Sequence, residues 1–212
     1  MSEPESERRA MVAEQLQARG ISDERVLDAM ARVPRDLFVD PGDRRRAYRD
    51  MPLRIGYGQT ISQPYMVAII CQTAEVREGD HVLDIGTGSG YQAAVLAELG
   101  GAVHTVERIP ELAERARERL AAAGYSNVEV HLGDGSLGLP AHAPYDAIVV
   151  AAAAPAMPES LYGQLEPRGR LVVPVGGPEG QRLEVIVRSP EGPAVTRSVP
   201  CRFVPLVGAE GY

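Results

Sequence analysis

The chain has 212 residues, 44% hydrophobic and 24% charged, the proportions of a globular protein long enough to bury its own core. A net charge of −7 argues against a nucleic-acid partner, whose phosphates must be met by basic side chains. No apolar run reaches the ~18 residues of a membrane helix, and the polar start over residues 1–9 lacks the apolar stretch of a secretory signal, so a cytoplasmic location is expected.

Residue types narrow the chemistry further. All 22 basic residues are arginine. Without lysine there is no P-loop cation, no kinase strand lysine and no Schiff-base amine. Cys71 and Cys201 lie far apart with no CxxC spacing, so neither a zinc site nor a disulfide framework is expected. His81, His104, His131 and His142 are scattered along the chain without an HxH or HExxH pair, and no metal site is expected. The basic run Arg44-Arg45-Arg46 reads as a solvated loop.

Residues 7–50 read as short helices. Met11, Val12 and Leu16 share one stripe. Ser22 is the expected N-cap of a second helix carrying Val26, Leu27, Met30 and Val33, which Pro34 ends. Pro41-Gly42-Asp43 is a turn, and residues 51–63, with Pro52, Gly56 and Gly58, are a loop. Pro64 suits the first position of a helix over 64–77, in which Cys71 is a buried hydrophobe. Strands are then expected over 81–85, 102–106, 127–132, 145–152 and 170–175. Helices over 91–99, 110–123 and 158–165 alternate with them. Apolar strands separated by helices predict a doubly wound, mostly parallel sheet with helices on both faces. Strands over 183–188 and 194–200, parted by Ser189-Pro190-Glu191-Gly192-Pro193, predict an antiparallel C-terminal hairpin. One domain over 1–212 is expected: a helical cap and loop (1–63), an α/β core (64–180) and the C-terminal hairpin and loop (181–212).

Three polar clusters fall at the carboxyl ends of successive strands, where open α/β sheets bind ligands. The first is the turn after Asp84 and Ile85, Gly86-Thr87-Gly88-Ser89-Gly90. Its GxGxG pattern places Tyr91 where a dinucleotide fingerprint has its third glycine, which counts against a nicotinamide cofactor. The second is Glu107, about 20 residues on, where a carboxylate can hold ribose hydroxyls. The third is Gly133-Asp134-Gly135.

This arrangement resembles the class I, Rossmann-like, S-adenosylmethionine-dependent methyltransferases. The resemblance implies cofactor contacts at Asp84, Gly86, Thr87, Gly88, Ser89, Glu107, Arg108, Asp134 and Gly135. The run 56–68, GYGQTISQPYMVA, is similar to the signature of the protein-L-isoaspartate O-methyltransferase family. So are Val33-Pro34-Arg35-Asp36-Leu37-Phe38-Val39, Ala151-Ala152-Ala153-Ala154-Pro155 and Arg202-Phe203-Val204-Pro205-Leu206-Val207-Gly208. Read from the residues alone, Ser62 is a hydroxyl at a helix entry. The resemblance instead makes Ser62 the active-site residue, with Gln59, Thr60 and Ile61 beside the cofactor and Val204, Pro205 and Leu206 beside the substrate. This chain has Val67 where some members have histidine, Val207 where many have threonine, and Arg168 where glycine is common.

The implied reaction is methylation of the α-carboxylate of L-isoaspartyl residues in proteins and peptides, by a monomer using S-adenosyl-L-methionine and no metal. Two other readings stay open: methylation of another carboxylate in a dedicated peptide partner, and non-catalytic recognition of isoaspartyl or C-terminal groups.

Overall fold

The computed structural model describes residues 3–212. Helix α1 (Glu3–Ala10) runs into a π-helical turn, Met11–Leu16, whose Met11 and Leu16 are fully buried. Helix α2 (Glu24–Arg32) is capped by Asp23, not Ser22: the Asp23 carboxylate accepts from Arg25 N–H at 2.9 Å. Ser22 instead gives its own N–H to Gln72 Oε1. A 3-10 helix, Pro41–Arg46, carries the three arginines exposed, as a solvated face should be.

The expected loop before Pro64 is in fact a hairpin, β1 (Leu53–Gly56) and β2 (Gln59–Ile61). Tyr57 and Gly58 both adopt positive φ, 54° and 73°, which lets a two-residue turn match the twist of the strands. Leu53, Ile55 and Ile61 bury one face. Helix α3 (Pro64–Ala74) is largely buried, and burial pushes its Cys71 thiol far up, so that it stays protonated.

Strand β3 (His81–Ile85), helix α4 (Tyr91–Glu98), strand β4 (Ala102–Glu107), helix α5 (Pro110–Ala122) and strand β5 (Val128–Leu132) follow as expected. Then come β6 (Tyr145–Val150), α6 (Glu159–Gly163) and β7 (Leu165–Val175). β8 (Gln181–Ser189) and β9 (Gly192–Cys201) meet at Pro190-Glu191, a tighter turn than the five residues expected. The seven-stranded sheet has the order β5-β4-β3-β6-β7-β8-β9, parallel through β7 and antiparallel thereafter.

Each face of the sheet has its own core. Val82, Val103, Ala147, Val149 and Val172 pack under α3, α4 and α5, with α2 stacked outside. Leu83, Ile85, Val106, Ile148, Val150 and Val173 pack on the other face with Leu161 of α6 and Leu206. Arg168 departs from glycine at a place that favours glycine: its φ is 70°.

The histidines, scattered in sequence, are not scattered in space. His104 and His131 stand in register with Leu83 and Val106 on the second face. There no long helix follows β5, only two short turns, Gly135–Leu137 and Pro140–His142. The ring centroids of His104 and His142 lie 4.2 Å apart, those of His104 and His131 5.2 Å, and those of His81 and His104 4.9 Å. Burial, then the neighbouring imidazoles, holds His104 down to about 4, so it is uncharged at neutral pH.

Candidate active site

The chain builds β3, β4 and β5 outward and then returns to lay β6 beside β3. At such a reversal the loops leaving adjacent strands part and leave a crevice at their carboxyl ends. A cleft of about 890 Å³, including its solvent-open side, sits there. Its walls come from residues 59–62 with Val67, residues 85–89 with Tyr91 and Gln92, residues 106–109 with Gly135, and residues 204–207 with Ala151 and Ala152. Of the expected site residues, Gln59, Thr60, Ile61, Ser62, Gly86, Thr87, Gly88, Ser89, Glu107, Arg108, Gly135, Val204, Pro205 and Leu206 line it; Asp84 and Asp134 do not.

The glycine turn is held from below. Gly86, Gly88 and Gly90 take positive φ of 91°, 53° and 90°. Gly86 N–H donates to Val106 C=O at 2.9 Å, tying the turn to β4. A Cβ on Gly88 would lie 3.3 Å from Ile55 Cδ1, and one on Gly135 2.7 Å from Ile85 Cγ2, so the cleft floor requires bare backbone.

Asp84 works beneath this floor. It is fully buried and accepts from Gln92 Nε2 and Thr105 Oγ1, each at 2.8 Å. Thr105 in turn meets Thr87 Oγ1 at 2.7 Å. Burial pushes the Asp84 carboxyl up to about 6, against the pull of these two donors. The expectation that Asp84 touches the cofactor is therefore corrected: its carboxylate fixes the turn.

Glu107 lies on the wall, 5% exposed. One oxygen accepts from Gly88 N–H at 2.9 Å and the other from Ile109 N–H at 3.0 Å. Each carboxylate oxygen has two lone pairs, so one on each remains for a ligand hydroxyl.

Ser62 is not a helix cap. The cap position of α3 is Gln63, which gives no side-chain hydrogen bond, and Asp50 Oδ1 accepts from Tyr65 N–H at 2.9 Å in its place. Ser62 forms no hydrogen bond with any described residue, and it lines the cleft. The hairpin that delivers it is anchored from α5, where Arg115 donates to Ile55 C=O at 2.5 Å.

Asp134 also holds a wall up from outside. Its oxygens accept from Ser136 N–H at 2.9 Å, Ser136 Oγ at 2.7 Å and Ala209 N–H at 2.8 Å. Gly208 packs so closely that a Cβ there would lie 2.0 Å from Asp134 Oδ1. Oδ1 takes both Ser136 donors, while Oδ2 takes only Ala209 N–H and keeps a lone pair. Burial raises this carboxyl, but the bonds from Ala209 and Ser136 outweigh it and hold the group below the ordinary carboxylate range.

Most main-chain groups of residues 204–206 are likewise spent. Ala153 N–H donates to Val204 C=O, and Leu206 N–H to Ala153 C=O, each at 2.8 Å; Leu206 C=O accepts from Tyr212 N–H. Among the described residues only Val204 N–H and Pro205 C=O keep no partner, which narrows the expected peptide contacts to those two.

Residues 6–211 match the family protein-L-isoaspartate(D-aspartate) O-methyltransferase (PCMT). A protein-L-isoaspartate O-methyltransferase of Methanoculleus marisnigri is 55% identical over 209 residues, 97% of this chain and 94% of that one. Another, of Aeropyrum pernix, is 53% identical over 217 residues, 100% of this chain and 84% of that one. The chain belongs to the protein-L-isoaspartate O-methyltransferase family. Among solved structures, the Plasmodium falciparum member in complex with S-adenosyl-L-homocysteine superposes with a TM-score of 0.83 at 26% identity, covering 94% of this chain and 98% of that one.

S-Adenosyl-L-methionine is the methyl donor of the protein-L-isoaspartate O-methyltransferases, and the residues present fit it. The glycine floor admits close approach, Glu107 keeps acceptors for hydroxyls, and Val106 and Ile109 supply an apolar wall. Sequence reasoning missed Asp50, which frees Ser62 by taking over the helix entry. A lone aspartate 12 residues upstream of Ser62 carries no signal that it folds back onto this N-terminus.

Asp134→Ala should unfasten residues 206–212 from the end of β5. Losing these bonds costs about 2 kcal/mol and lowers Tm by about 5 °C. Faster amide exchange at Ala209 and Glu210 would localise the loss. Because the folded pKa is depressed, the stabilisation is present at neutral pH and disappears as pH falls through that lowered value. An unchanged Tm and exchange pattern would remove Asp134 from this role.

Proposed function

We propose that this chain transfers the methyl group of S-adenosyl-L-methionine to the α-carboxylate of L-isoaspartyl residues in proteins and peptides, beginning their return to aspartate. Beyond family membership, one observation carries the reading. The cleft is walled without any histidine, and the chain has no lysine. The only carboxylate on the wall, Glu107, is bonded to two backbone N–H groups. An amine or alcohol acceptor would need a base to remove its proton. A carboxylate with a pKa near 4 is about 99.9% ionised at pH 7 and needs none.

The chain's work is then to bind, align and exclude water, which supplies about 7–11 kcal/mol when reactants are well oriented. Bound S-adenosyl-L-methionine supplies an electrophilic methyl group on a sulfonium sulfur. In this reading Glu107 accepts from the ribose hydroxyls. Gly86, Thr87, Gly88 and Ser89 cradle the methionyl part, with Gln59, Thr60 and Ile61 above it. Arg108 and Gly135 flank the base. The Ser62 hydroxyl donates to the acceptor carboxylate and orients it. Val204 N–H and Pro205 C=O hold the peptide main chain, and Leu206, anchored by its buried side chain, sets their position. Asp84 supports the glycine turn from below without touching the ligands, and Asp134 keeps one acceptor on Oδ2 for the base.

The enzyme is further proposed to work as a monomer in the cytoplasm, on proteins and peptides and not on nucleic acid. The net charge of −7 supports the last point. Among the described residues no helix is long and apolar enough to cross a membrane.

Methyl-labelled S-adenosyl-L-methionine, incubated with the protein and two peptides differing only in isoaspartate or aspartate, tests the activity. Base-labile label on the isoaspartyl peptide alone is expected. Label on neither peptide, with the cofactor bound, would sink the repair reading.

A further inference from the structure

Three of the four imidazoles described above converge on one point, away from the cleft. One ring nitrogen each from His104, His131 and His142 lies within 4.8 Å of the others. His104 Nδ1 and His131 Nε2 are 2.9 Å apart and share one hydrogen bond. The His142 ring bonds to no described residue. Glu129, across from His104 in the β4–β5 pairing, brings its carboxylate oxygens to 3.7 Å from His104 Nδ1 and 3.7 Å from His131 Nε2. Those are the same two nitrogens that face each other.

The chemistry of this donor set is specific. Imidazole nitrogens with one carboxylate suit a borderline divalent ion of the zinc class, and not calcium or magnesium, which prefer oxygen alone. Tetrahedral zinc with Zn–N of about 2.0–2.1 Å places nitrogen ligands about 3.3 Å apart. The 2.9 Å pair has to open slightly, and His142 has to close by no more than about 1.5 Å from the 4.8 Å bound. His142 is the partly exposed last residue of the short turn Pro140–His142, whose other two residues are exposed. Behind the set, His81 bonds through Nδ1 to Pro144 C=O at 3.0 Å, and its ring meets His104 edge to face at 79° and Tyr145 at a tilt, backing His104 from outside.

We propose that His104, His131 and His142, closed by Glu129, form a binding site for one zinc-class divalent cation. Each imidazole comes from a different element: β4, β5 and the turn Pro140–His142. The ion therefore staples the thinly covered edge of the second face. Its ligands precede the cleft closely, His104 by three residues before Glu107 and His131 by four before Gly135. The site is independent of the methyl-transfer reading, and its test does not use activity.

The test uses full-length protein with any histidine tag removed and metal stripped by chelator. Zn2+ is titrated by calorimetry, and Co2+ by its visible absorption. One equivalent should bind, with the intense absorption of four-coordinate Co2+ and a Tm that rises until saturation at one equivalent. His142→Gln, on the surface turn, should abolish the four-coordinate spectrum. Glu129→Gln, on an exposed side chain, should weaken binding about tenfold or more. Circular dichroism matching the parent protein shows that both variants fold. No saturable binding, or equal binding by His142→Gln, would overturn the proposal; so would a weak, six-coordinate Co2+ spectrum.

Discussion

Glu107→Gln should raise the Kd for S-adenosyl-L-methionine about 100-fold, a loss of about 2.7 kcal/mol. The carboxylate meets two backbone donors, Gly88 N–H at 2.9 Å and Ile109 N–H at 3.0 Å, one on each oxygen. An amide of the same shape has one acceptor oxygen. Its NH2 group must face one of those N–H donors, so one donor is left unsatisfied in a buried site, at about 1–3 kcal/mol. The amide also brings fewer lone pairs to the ligand hydroxyls. Calorimetric titration with the cofactor measures the change directly. The turn itself remains pinned by Gly86 N–H to Val106 and by the Asp84, Thr105 and Thr87 chain, so the variant should fold. A Kd within about threefold of the parent would show that Glu107 is a structural clasp only.

Ser62→Ala should lower kcat/KM for an isoaspartyl peptide by about 100-fold, leave the cofactor Kd unchanged, and leave Tm unchanged. The three readouts separate two accounts of this hydroxyl. A helix cap replaced by alanine costs about 1 kcal/mol of stability. Ser62 caps nothing here, since Asp50 holds Tyr65 N–H and Gln63 occupies the cap position. A hydroxyl that aligns a charged acceptor acts only when the acceptor is bound, and a hydrogen bond to a charged group is worth about 1.5–3 kcal/mol. Full retention of kcat/KM would end the proposed role, and a fall in Tm without a fall in rate would favour the cap.

Much of the fold was legible in the residues. The alternation of apolar runs with Ala-, Glu- and Arg-rich stretches locates β3 to β6 within two residues and the second half of β7, because strand and helix periods differ. Pro64 and Pro110 marked helix starts because proline sacrifices an N–H that the first turn cannot use. Two departures from expectation have separate physical reasons. The hairpin at residues 53–61 has the sequence character of a loop because its strands are four and three residues long, too short for a period to emerge. Ser22 and Asp23 are both good cap types, and Gln72 Oε1 accepts from the N–H of each, so only the turn of the Asp23 carboxylate onto Arg25 N–H decides between them.

The candidate site divides in the same way. The glycine turn and Glu107 could be located from sequence because a strand end, a positive-φ turn and a carboxylate one strand later are local features in a fixed order. Asp84 carries the same local signals, yet its carboxylate faces Gln92 beneath the floor, and Asp134 is tied to Ala209, 75 residues on. Nothing within a few residues of either position reports those partners.

By itself the sequence determined the alternation of elements, the lack of lysine chemistry and the residue types at the strand ends, since these depend on local periodicity and on which side chains exist. Tertiary structure alone decided that residues 59–62 and 204–207 line one cleft. It also decided that Asp50 releases Ser62 and that four distant histidines meet. Those outcomes depend on strand order and on chain reversals between segments tens of residues apart, which no window of sequence contains.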